Sequence, residues 1–282
     1  MMYSLVQGAR VIFREHRSDS IIIVHSTAGL LLGIILTFLG VDVISVIHGR
    51  ASNYTGHIVR MIEKLAVKYC HTTVFMNKQD FVGLRPKSAR VVHNCLMKKF
   101  LPRARNELNV ELKKVRAVIV ARHSAQKNLS IIADVAKLNV SIPFYVYGDG
   151  PDFYKNRHKY KDIQNLFFQK EEKVENIYTD NTIFLLPTYS EGFPLSVMEA
   201  ASGKLPLLLS DIPELKEIFS DNAQYFCNDD FKSLSSLIRT LVRDRHTFEY
   251  WSERSFRVTQ IYTQERFLNS WKKIIEEPMS NA

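Results

Sequence analysis

Short apolar runs alternate with longer segments of helical periodicity along most of this chain, and no other feature restricts its fold so strongly. Ile21–Val24 and Val41–Ile47 are rich in β-branched residues, which favour buried strands, whereas Ala28–Leu39 has helical length and is rich in leucine. Because parallel strands need a crossover, usually a helix, this order predicts a βαβ unit. The alternation continues and predicts an α/β protein with two doubly wound parallel sheets.

The apolar stretch from residue 21 to 47 is also long enough to span a bilayer. His25 and Asp42 interrupt it, which favours the βαβ interpretation over a membrane-spanning helix. We expect no secretory signal, because no small-residue cleavage site closes the apolar stretch. The three cysteines show no CxxC spacing, which argues against a disulfide framework and suits a reducing compartment.

The 282 residues suit two domains, and a content of 46% hydrophobic and 24% charged residues excludes a disordered or fibrous chain. Residues 97–114 are polar and basic without a clear period, which is typical of a linker. We therefore predict a first domain at residues 1–105 and a second at residues 106–264. Residues 265–282 are predicted to form a C-terminal helix, with the option that it crosses back to the first domain.

Positive charge is concentrated in the first predicted domain. Residues 1–105 contain 15 Lys and Arg against 5 Asp and Glu, whereas residues 106–282 contain 23 against 24. A basic surface of this kind attracts phosphate-rich partners: anionic lipid, a lipid diphosphate or nucleic acid. The alternative is a charged surface that only aids solubility. The chain lacks an aromatic and basic RNA-recognition motif, so we do not expect nucleic acid as the partner.

The strongest functional signal is the nine-residue string from Glu191 to Glu199, which follows the predicted strand Thr182–Leu186. Gly192 lets the backbone approach a ligand closely. The positive end of the helix that begins here stabilises a phosphate or an anionic leaving group. The alternative is an ordinary capping glutamate followed by a surface glutamate. The backbone amides available at this helix start belong to Phe193, Leu195 and Ser196, while Pro194 has none.

A second candidate group follows the predicted strand Val115–Ala121. Arg122 and Lys127 lie in the loop that begins the next predicted helix, where two cations form a diphosphate clamp. Basic residues after a strand are common, so alone this signal is weak. Gly148 begins the segment Gly148–Pro151 after another predicted strand, which lets a base or ribose approach the backbone or merely forms a turn.

Histidines end two predicted strands of the first domain. His25 and His48 occupy these positions, and His48 could hydrogen-bond a sugar hydroxyl or receive a proton. The alternative is a structural histidine bonded to backbone. No two histidines are spaced three or four residues apart, and no Asp-x-Asp occurs. We therefore expect no metal and no cofactor besides a donor substrate.

Taken in order, these strings resemble a family 4 glycosyltransferase of the GT-B type, which has two Rossmann-like domains facing a cleft. Glu191 to Glu199 resembles the family's Glu-x7-Glu motif, and the segment from Ala121 to Asn128 resembles its Gly-Arg…Lys-Gly segment. Four further segments resemble the family's second-domain Gly-x-Gly turn, the end of its first domain and its two histidine-ended strands: Val146–Pro151, Val91–Asn94, Asp19–Ser26 and Val46–Gly49.

The resemblance implies roles for these residues. Arg122 and Lys127 would hold the donor diphosphate, standing in for a metal, and Glu199 would take the ribose hydroxyls. Glu191 would contact the transferred sugar, and His48 would line the sugar and acceptor side, so these two are the implied catalytic positions. The implied donor-binding residues are Arg122, Lys127, Gly148, Gly192, Phe193, Pro194, Leu195 and Glu199.

The resemblance further implies a retaining, metal-independent transfer of a hexose from a nucleoside-diphosphate sugar to a lipid-linked or saccharide acceptor in surface glycan synthesis. With the basic first domain, it suggests a cytoplasmic enzyme peripheral to the inner face of an anionic membrane. Few residues precede Asp19, and no glycine-rich loop lies among them, so the first domain is expected to be shortened. The alternative is a donor-binding subunit or inactive homologue whose first domain a protein partner completes.

Overall fold

A computed structural model of the chain describes residues 21–49, 56–82, 84, 86–96 and 110–276. The sequence predictions that involve residues 1–20, Arg50 and residues 97–109 lie outside these described residues. The chain divides into two compact units between Asn94 and Cys95, and the segment from Glu265 onward groups with the first unit.

The first unit is a parallel sheet with an α-helix between β1 and β2 and another between β2 and β3. Its strands pair in the order β1-β2-β3-β4. Each strand follows its predecessor both in the chain and in space, which confirms the predicted βαβ connection. The elements are β1 (Ile22–Val24), α1 (Ser26–Phe38), β2 (Val43–Ile47), α2 (His57–Tyr69), β3 (Thr72–Phe75) and β4 (Ala89–Val91), with the C-terminal α10 (Gln264–Glu276) grouped with them.

Helix α1 packs closely on its sheet because of one glycine. A Cβ atom on Gly33 would lie 2.7 Å from a methyl carbon of Val24 and 3.1 Å from one of Val43. The segment from Leu30 to Leu39 is mostly covered, and Leu30 and Leu36 are buried. Only its C-terminal end, at Phe38 and Leu39, is exposed. Within the described residues, no helix combines the length and apolar character required to cross a bilayer.

The second unit is a six-stranded parallel sheet in the order β10-β9-β8-β5-β6-β7. Chain order runs outward in one direction from β5 and in the other from β8, so the winding reverses between these two neighbours. Such a switch point leaves a crevice at the carboxyl ends of the strands. The strands are β5 (Arg116–Val120), β6 (Phe144–Tyr147), β7 (Leu166–Gln169), β8 (Thr182–Leu186), β9 (Leu207–Ser210) and β10 (Gln224–Phe226).

Helices cover both faces of this sheet, and the buried core forms two apolar clusters. Most helices agree with the sequence prediction. The largest difference is α9, which the sequence analysis did not predict because its buried face contains Ser252 and Ser255, where the helical pattern would require apolar residues. The helices are α3 (Leu129–Leu138), α4 (Phe153–Lys159), α5 (Val174–Ile177), α6 (Leu195–Ser202), α7 (Pro213–Phe219), α8 (Phe231–Arg243) and α9 (Arg245–Ile261).

Candidate functional site

The loops that follow β5 and β8 meet at the switch point of the second unit. Lys127, in the loop after β5, donates a hydrogen bond from Nζ to Glu191 Oε1, in the loop after β8. The two side chains are 15% and 9% exposed. This pair therefore joins two of the predicted site residues across the point where ligands bind in doubly wound folds.

Backbone and amide hydrogen bonds hold these two loops together. The Tyr189 amide donates to the Gln126 carbonyl at 2.9 Å, and Gln126 Nε2 donates to the Ser190 carbonyl at 2.6 Å. Thr188 Oγ1 also donates to the Ser190 carbonyl, at 3.1 Å. These bonds flank the two ion-paired residues in both loops, so they fix the separation of Lys127 and Glu191.

Helix α6 begins at Leu195, four residues after Glu191. Gly192 and Pro194 are buried, Pro194 caps the helix, and Leu195 begins it with its side chain exposed. The first amides of a helix have no acceptor inside it, and the helix dipole places partial positive charge there. The predicted amide-lined turn thus lies at the sheet edge that holds Lys127. Phe193 packs its ring edge-on against Tyr262 at 5.3 Å between centroids.

Glu199 lies in the second turn of α6 and contacts a tyrosine that the sequence analysis did not identify. Tyr178 Oη donates a hydrogen bond to Glu199 Oε2 at 2.7 Å. Burial raises the pKa of Glu199, and the Tyr178 hydrogen bond opposes that rise. Burial and the adjacent Glu199 raise the pKa of Tyr178, so its hydroxyl remains a donor. Tyr178 therefore holds one carboxylate oxygen of Glu199, Oε2, in place.

Gly148 and Gly150 bring the loop after β6 against the loop after β5. Both have positive φ, 130° and 152°. A Cβ at Gly148 would lie 2.2 Å from the Ala121 carbonyl oxygen, and one at Gly150 would lie 2.5 Å from that of His123. The same Cβ would lie 3.0 Å from Arg122 Cγ. The predicted glycine turn and the exposed Arg122 are therefore neighbours, and only glycine allows this approach.

His123, beside Arg122, is a buried residue that the sequence analysis passed over. Its ring is fully buried, and the rings of Phe153 and Phe168 lie 5.0 and 5.7 Å away between centroids. Neither ring nitrogen has a hydrogen-bond partner among the described residues. Burial lowers the pKa of His123, although Asp149 and Asp152 oppose this shift. The histidine is therefore neutral at pH 7 and acts as an aromatic packing residue under the site.

A buried polar network supports the same edge of the sheet. Asn228 Nδ2 donates to the Thr188 carbonyl at 2.8 Å, and Asn128 Nδ2 donates to the Asn228 carbonyl at 3.0 Å. The Thr188 amide donates to Ser210 Oγ at 2.7 Å. Thr188 and Asn228 follow β8 and β10, Ser210 ends β9, and Asn128 directly precedes α3. The network therefore ties together the loops at this edge of the sheet. Polar residues immediately after predicted strands were the sequence signal that could have identified them.

Glu214, on α7, adds a third carboxylate near the switch point. Ser190 Oγ lies 3.4 Å from Glu214 Oε1. Burial raises the pKa of Glu214, and the negative charge of Glu191 contributes to that rise. Two carboxylates that lie near each other disfavour each other's ionisation. Glu191, which is paired with Lys127, therefore makes it harder for Glu214 to lose its proton.

The two strand-ending histidines of the first unit lie close together. His25 follows β1 and His48 follows β2, and their rings are perpendicular with centroids 5.8 Å apart. Burial, and then the proximity of His25, lowers the pKa of His48. His48 is therefore neutral near pH 7, the form that can accept a proton. Because β1 and β2 are parallel neighbours, the two histidines that follow them lie at the same edge of the first sheet.

The structure thus places the predicted residues in two groups. The pair His25 and His48 lies in the first unit. In the second unit, Lys127 contacts Glu191, and Arg122 adjoins the glycine turn. Glu199 lies one helix turn along from the amides at the start of α6. A doubly wound sheet with cations and a helix N-terminus at its switch point is the arrangement of Rossmann-like phosphate-binding proteins.

Comparison with protein families places the chain in a defined family. Residues 102–258, more than half of the chain, match the family described as Glycosyl transferases group 1. The chain therefore belongs to this family. The matched region lies entirely within the second unit and includes every donor-side residue predicted from the sequence.

Three curated relatives show the range of similarity. The chain is 29% identical over 181 residues to the poly(glycerol-phosphate) alpha-glucosyltransferase of Bacillus subtilis, covering 58% of this chain and 26% of that protein. It is 23% identical over 276 residues to the O-antigen biosynthesis glycosyltransferase WbnH of Escherichia coli, covering 94% and 79%. It is 22% identical over 225 residues to the N,N'-diacetylbacillosaminyl-diphospho-undecaprenol alpha-1,3-N-acetylgalactosaminyltransferase of Campylobacter jejuni, covering 70% and 57%. The chain thus spans about a quarter of the Bacillus relative.

Solved structures share the fold. A structure of TarM from S. aureus with fondaparinux, alpha-GlcNAc-glycerol and UDP aligns with a TM-score of 0.79 at 16% identity, covering 97% of this chain and 59% of that one. The structure of Anabaena HepE with UDP and glucose aligns with a TM-score of 0.79 at 15% identity, covering 95% and 81%. These alignments confirm the predicted GT-B type of fold, with parallel α/β domains.

Proposed function

We propose that this protein is a retaining glycosyltransferase that transfers a hexose from a nucleoside-diphosphate sugar, without a metal ion, to a lipid-linked or saccharide acceptor. The observation that carries the proposal is the contact of Lys127 with Glu191 at the switch point, in the loop that leads into α6. Family membership supports the transferase class. The region combines cations, amide donors and carboxylates, which are the groups that such a donor needs.

In the proposed reaction, the bond between the sugar's anomeric carbon and the diphosphate oxygen breaks, and the nucleoside diphosphate departs with the electron pair. The acceptor hydroxyl forms the new bond to the same carbon and gives up its proton. Arg122, Lys127 and the first amides of α6 stabilise the negative charge that develops on the diphosphate. Glu199, oriented by Tyr178, receives the ribose hydroxyls.

When donor binds, Lys127 turns from Glu191 toward the diphosphate. Glu191 then accepts hydrogen bonds from hydroxyls of the transferred sugar. His48, neutral because of burial and His25, contributes a hydrogen-bonding group from the first unit to the sugar and acceptor. We assign Glu191 a positioning role toward the sugar and no covalent intermediate.

The acceptor class is supported by the relatives' names. One relative is named for a diphospho-undecaprenol acceptor, another for poly(glycerol-phosphate), and a third for O-antigen biosynthesis. We therefore propose that this chain works in surface polysaccharide synthesis, at the inner face of an anionic membrane.

A transfer assay tests the proposal. Radiolabelled UDP-sugars, followed by other nucleotide sugars, are incubated with the chain and lipid extract in the presence of EDTA. We expect transfer that resists EDTA, and a product whose anomeric proton shows the same configuration as the donor by NMR. Lys127→Ala and Glu191→Gln should each lower kcat/KM about 100-fold.

Lys137→Ala is the matched control, because Lys137 forms an exposed ion pair with Asp134 on α3, away from the switch point. Equal activity of Lys127→Ala and Lys137→Ala would contradict the site assignment. Calorimetric binding of nucleotide sugars without any transfer by the wild type would instead favour a donor-binding subunit. Loss of transfer in EDTA, restored by a divalent cation, would contradict the metal-independent step.

A further inference from the structure

The second unit contains an open cavity between the C-terminal end of α3 and one side of α8. Its volume is about 500 Å³, which is the size of a small-molecule site. Leu138 lines it from α3, and polar side chains of α8 line the rest. Arg239, on α8, contacts the end of α3 that is farthest from Lys127, and the ten residues of α3 extend about 15 Å. The cavity is therefore separate from the switch point.

The side of α8 that faces the cavity is basic and rich in hydroxyl groups. Side chains three or four residues apart share one face of a helix, and the lining residues of α8 form two such rows. The rows are Ser235, Arg239 and Arg243, and Lys232, Ser236 and Thr240. Among the described residues, neither a carboxylate nor an aromatic ring lines the cavity. Its charge is thus entirely positive.

Buried contacts hold Arg239 in place. Its Nε donates to Asn139 Oδ1 at 3.0 Å, and its Nη2 donates to the Leu138 carbonyl at 2.6 Å. Asn139 is only 5% exposed and donates from Nδ2 to Ser235 Oγ at 2.8 Å. These bonds use two of the five N–H groups of the guanidinium, and Nη1 has no acceptor in the described part of the chain. Arg239 is therefore pre-oriented and keeps donors for a ligand.

Other polar groups of the cavity also lack partners. Ser235 is 2% exposed, and its Oγ accepts from Asn139, but its own proton has no acceptor among the residues that the structure describes. Lys232 and Arg243 form no ion pair with any described carboxylate. Buried hydroxyl donors normally have an acceptor. The cavity thus presents a buried hydroxyl proton and several cationic donors to an oxygen-rich anion.

We infer that this cavity binds a soluble phosphate ester of a sugar or polyol. The planar fork of Arg239 matches the geometry of a phosphate group, and Lys232 and Arg243 add positive charge. Ser236 and Thr240 both donate and accept hydrogen bonds, so they suit the hydroxyls of the ester. Without an aromatic ring the cavity offers no stacking surface for a nucleobase, and Leu138 alone provides too little apolar surface for an acyl chain. This inference goes beyond the proposed function and does not depend on it.

Isothermal titration calorimetry with the full 282-residue chain tests the inference. Glucose 6-phosphate and sn-glycerol 3-phosphate are the probes, and glucose and glycerol are their uncharged counterparts. We expect both esters to bind and neither uncharged compound to give measurable heat. Inorganic phosphate should bind about fivefold more weakly than the esters, because it leaves the hydroxyls of Ser236 and Thr240 without partners.

Variants of α8 locate the binding. Arg239→Lys keeps the charge but loses the planar fork, so it should weaken ester affinity at least about tenfold. Lys232→Gln with Arg243→Gln should weaken it at least about tenfold, and both side chains are exposed, so the fold is retained. The matched control is Lys155→Gln with Arg157→Gln, which removes the same two charges from exposed positions on α4 and should bind as the wild type.

The outcomes separate this site from the proposed donor site. Lys127→Ala should bind both esters with wild-type affinity, whereas a loss equal to that of Arg239→Lys would move the ester to the switch point and overturn the inference. Unchanged affinity in the α8 variants, equal affinity for inorganic phosphate, or binding to phosphatidylglycerol vesicles without binding to the free esters would also overturn it. A wild type that binds the esters but transfers no sugar would contradict the proposed function and leave this site standing.

Discussion

At the scale of single residues, backbone conformation explains two positions where this chain departs from the family pattern. Ala121 and Asn128 stand where the resemblance expects glycines. Asn128 adopts the left-handed conformation with φ of 36°, which asparagine tolerates better than most residues, and its side chain gains a hydrogen bond to Asn228. Ala121 avoids the left-handed region, and Gly148 opposite provides the space.

Gly148→Ala should destabilise the protein strongly. The added methyl would lie 2.2 Å from the Ala121 carbonyl oxygen, and φ of 130° is already strained for alanine. We expect a loss of about 2–4 kcal/mol in the free energy of unfolding, measured by urea denaturation. Gly29→Ala, inside α1, is the control and should not destabilise the protein, because the nearest atom lies 3.5 Å from the added methyl and alanine favours a helix. Equal stability of the two variants would refute the close approach of the two loops.

His123 should make the free energy of unfolding depend on pH below neutrality. Its pKa is lowered in the folded state by burial, so below pH 6.5 the unfolded chain binds more protons than the native one. Stability should therefore fall as pH decreases below 6.5, and His123→Leu should flatten this dependence in denaturation curves between pH 7 and pH 5. The same substitution at the exposed His158 provides the comparison. A slope that survives in His123→Leu would show that other groups cause it.

The buried carboxylate of Glu199 should lower the stability of the free protein at neutral pH and contribute to nucleotide-sugar affinity. Burial raises its pKa, so the native state holds a proton more firmly than the unfolded state and loses stability as pH rises through that range. Glu199→Gln should therefore raise the thermal midpoint of the free protein at pH 7.5 while weakening nucleotide-sugar affinity at least about tenfold. Differential scanning fluorimetry and calorimetry measure the two effects. A lower midpoint together with unchanged affinity would argue against a ligand-binding role for this carboxylate.

At the scale of elements, the sequence predicted strands and helices well wherever apolar periodicity reflects burial. Thr182–Leu186 forms a strand with the predicted bounds. Helix α9 escaped prediction because two of its four buried residues, Ser252 and Ser255, are polar. Their hydroxyls donate to backbone carbonyls within the helix, which removes the cost of burial. Small side chains there let α9 pack against α6.

Ser255→Leu should disrupt this packing. The fully buried serine leaves no room for three additional carbon atoms, so we expect a loss of about 1–3 kcal/mol in the free energy of unfolding. Chemical denaturation measures the loss, and Arg257→Leu, at an exposed position on the same helix, is the control. Stability equal to that of the control would mean that α9 has space on its buried face.

The site was predictable at the same scale because its residues follow strands. Lys127 and Glu191 lie after β5 and β8, and parallel topology brings these strand ends to one edge. Tyr178 was not predictable, because its contact with Glu199 depends on how the segment before β8 packs against α6. The asparagine network likewise depends on tertiary packing between distant loops, which periodicity does not report.

At the scale of the whole molecule, the donor-side residues all lie in one unit. The second unit, Cys95–Gln264, contains Arg122, Lys127, Glu191 and Glu199, whereas the first contains His25 and His48. The proposed donor-binding residues and the proposed acceptor-side histidine therefore belong to different units.

A nucleoside diphosphate alone should consequently protect only the second unit. Hydrogen exchange followed by mass spectrometry should show slower exchange in the loops after β5 and β8 and at the start of α6 when UDP or another nucleoside diphosphate is added. Peptides covering β1 and β2 should exchange as before. Protection confined to the first unit would place the nucleotide at a different site.

The family match covers residues 102–258 and leaves the first sheet outside it. The residues proposed to hold the donor therefore lie on one uninterrupted stretch of the sequence that does not include the first sheet. Chimeras that exchange residues 1–94 between members of the family would then change the glycan that is extended without changing the nucleotide consumed.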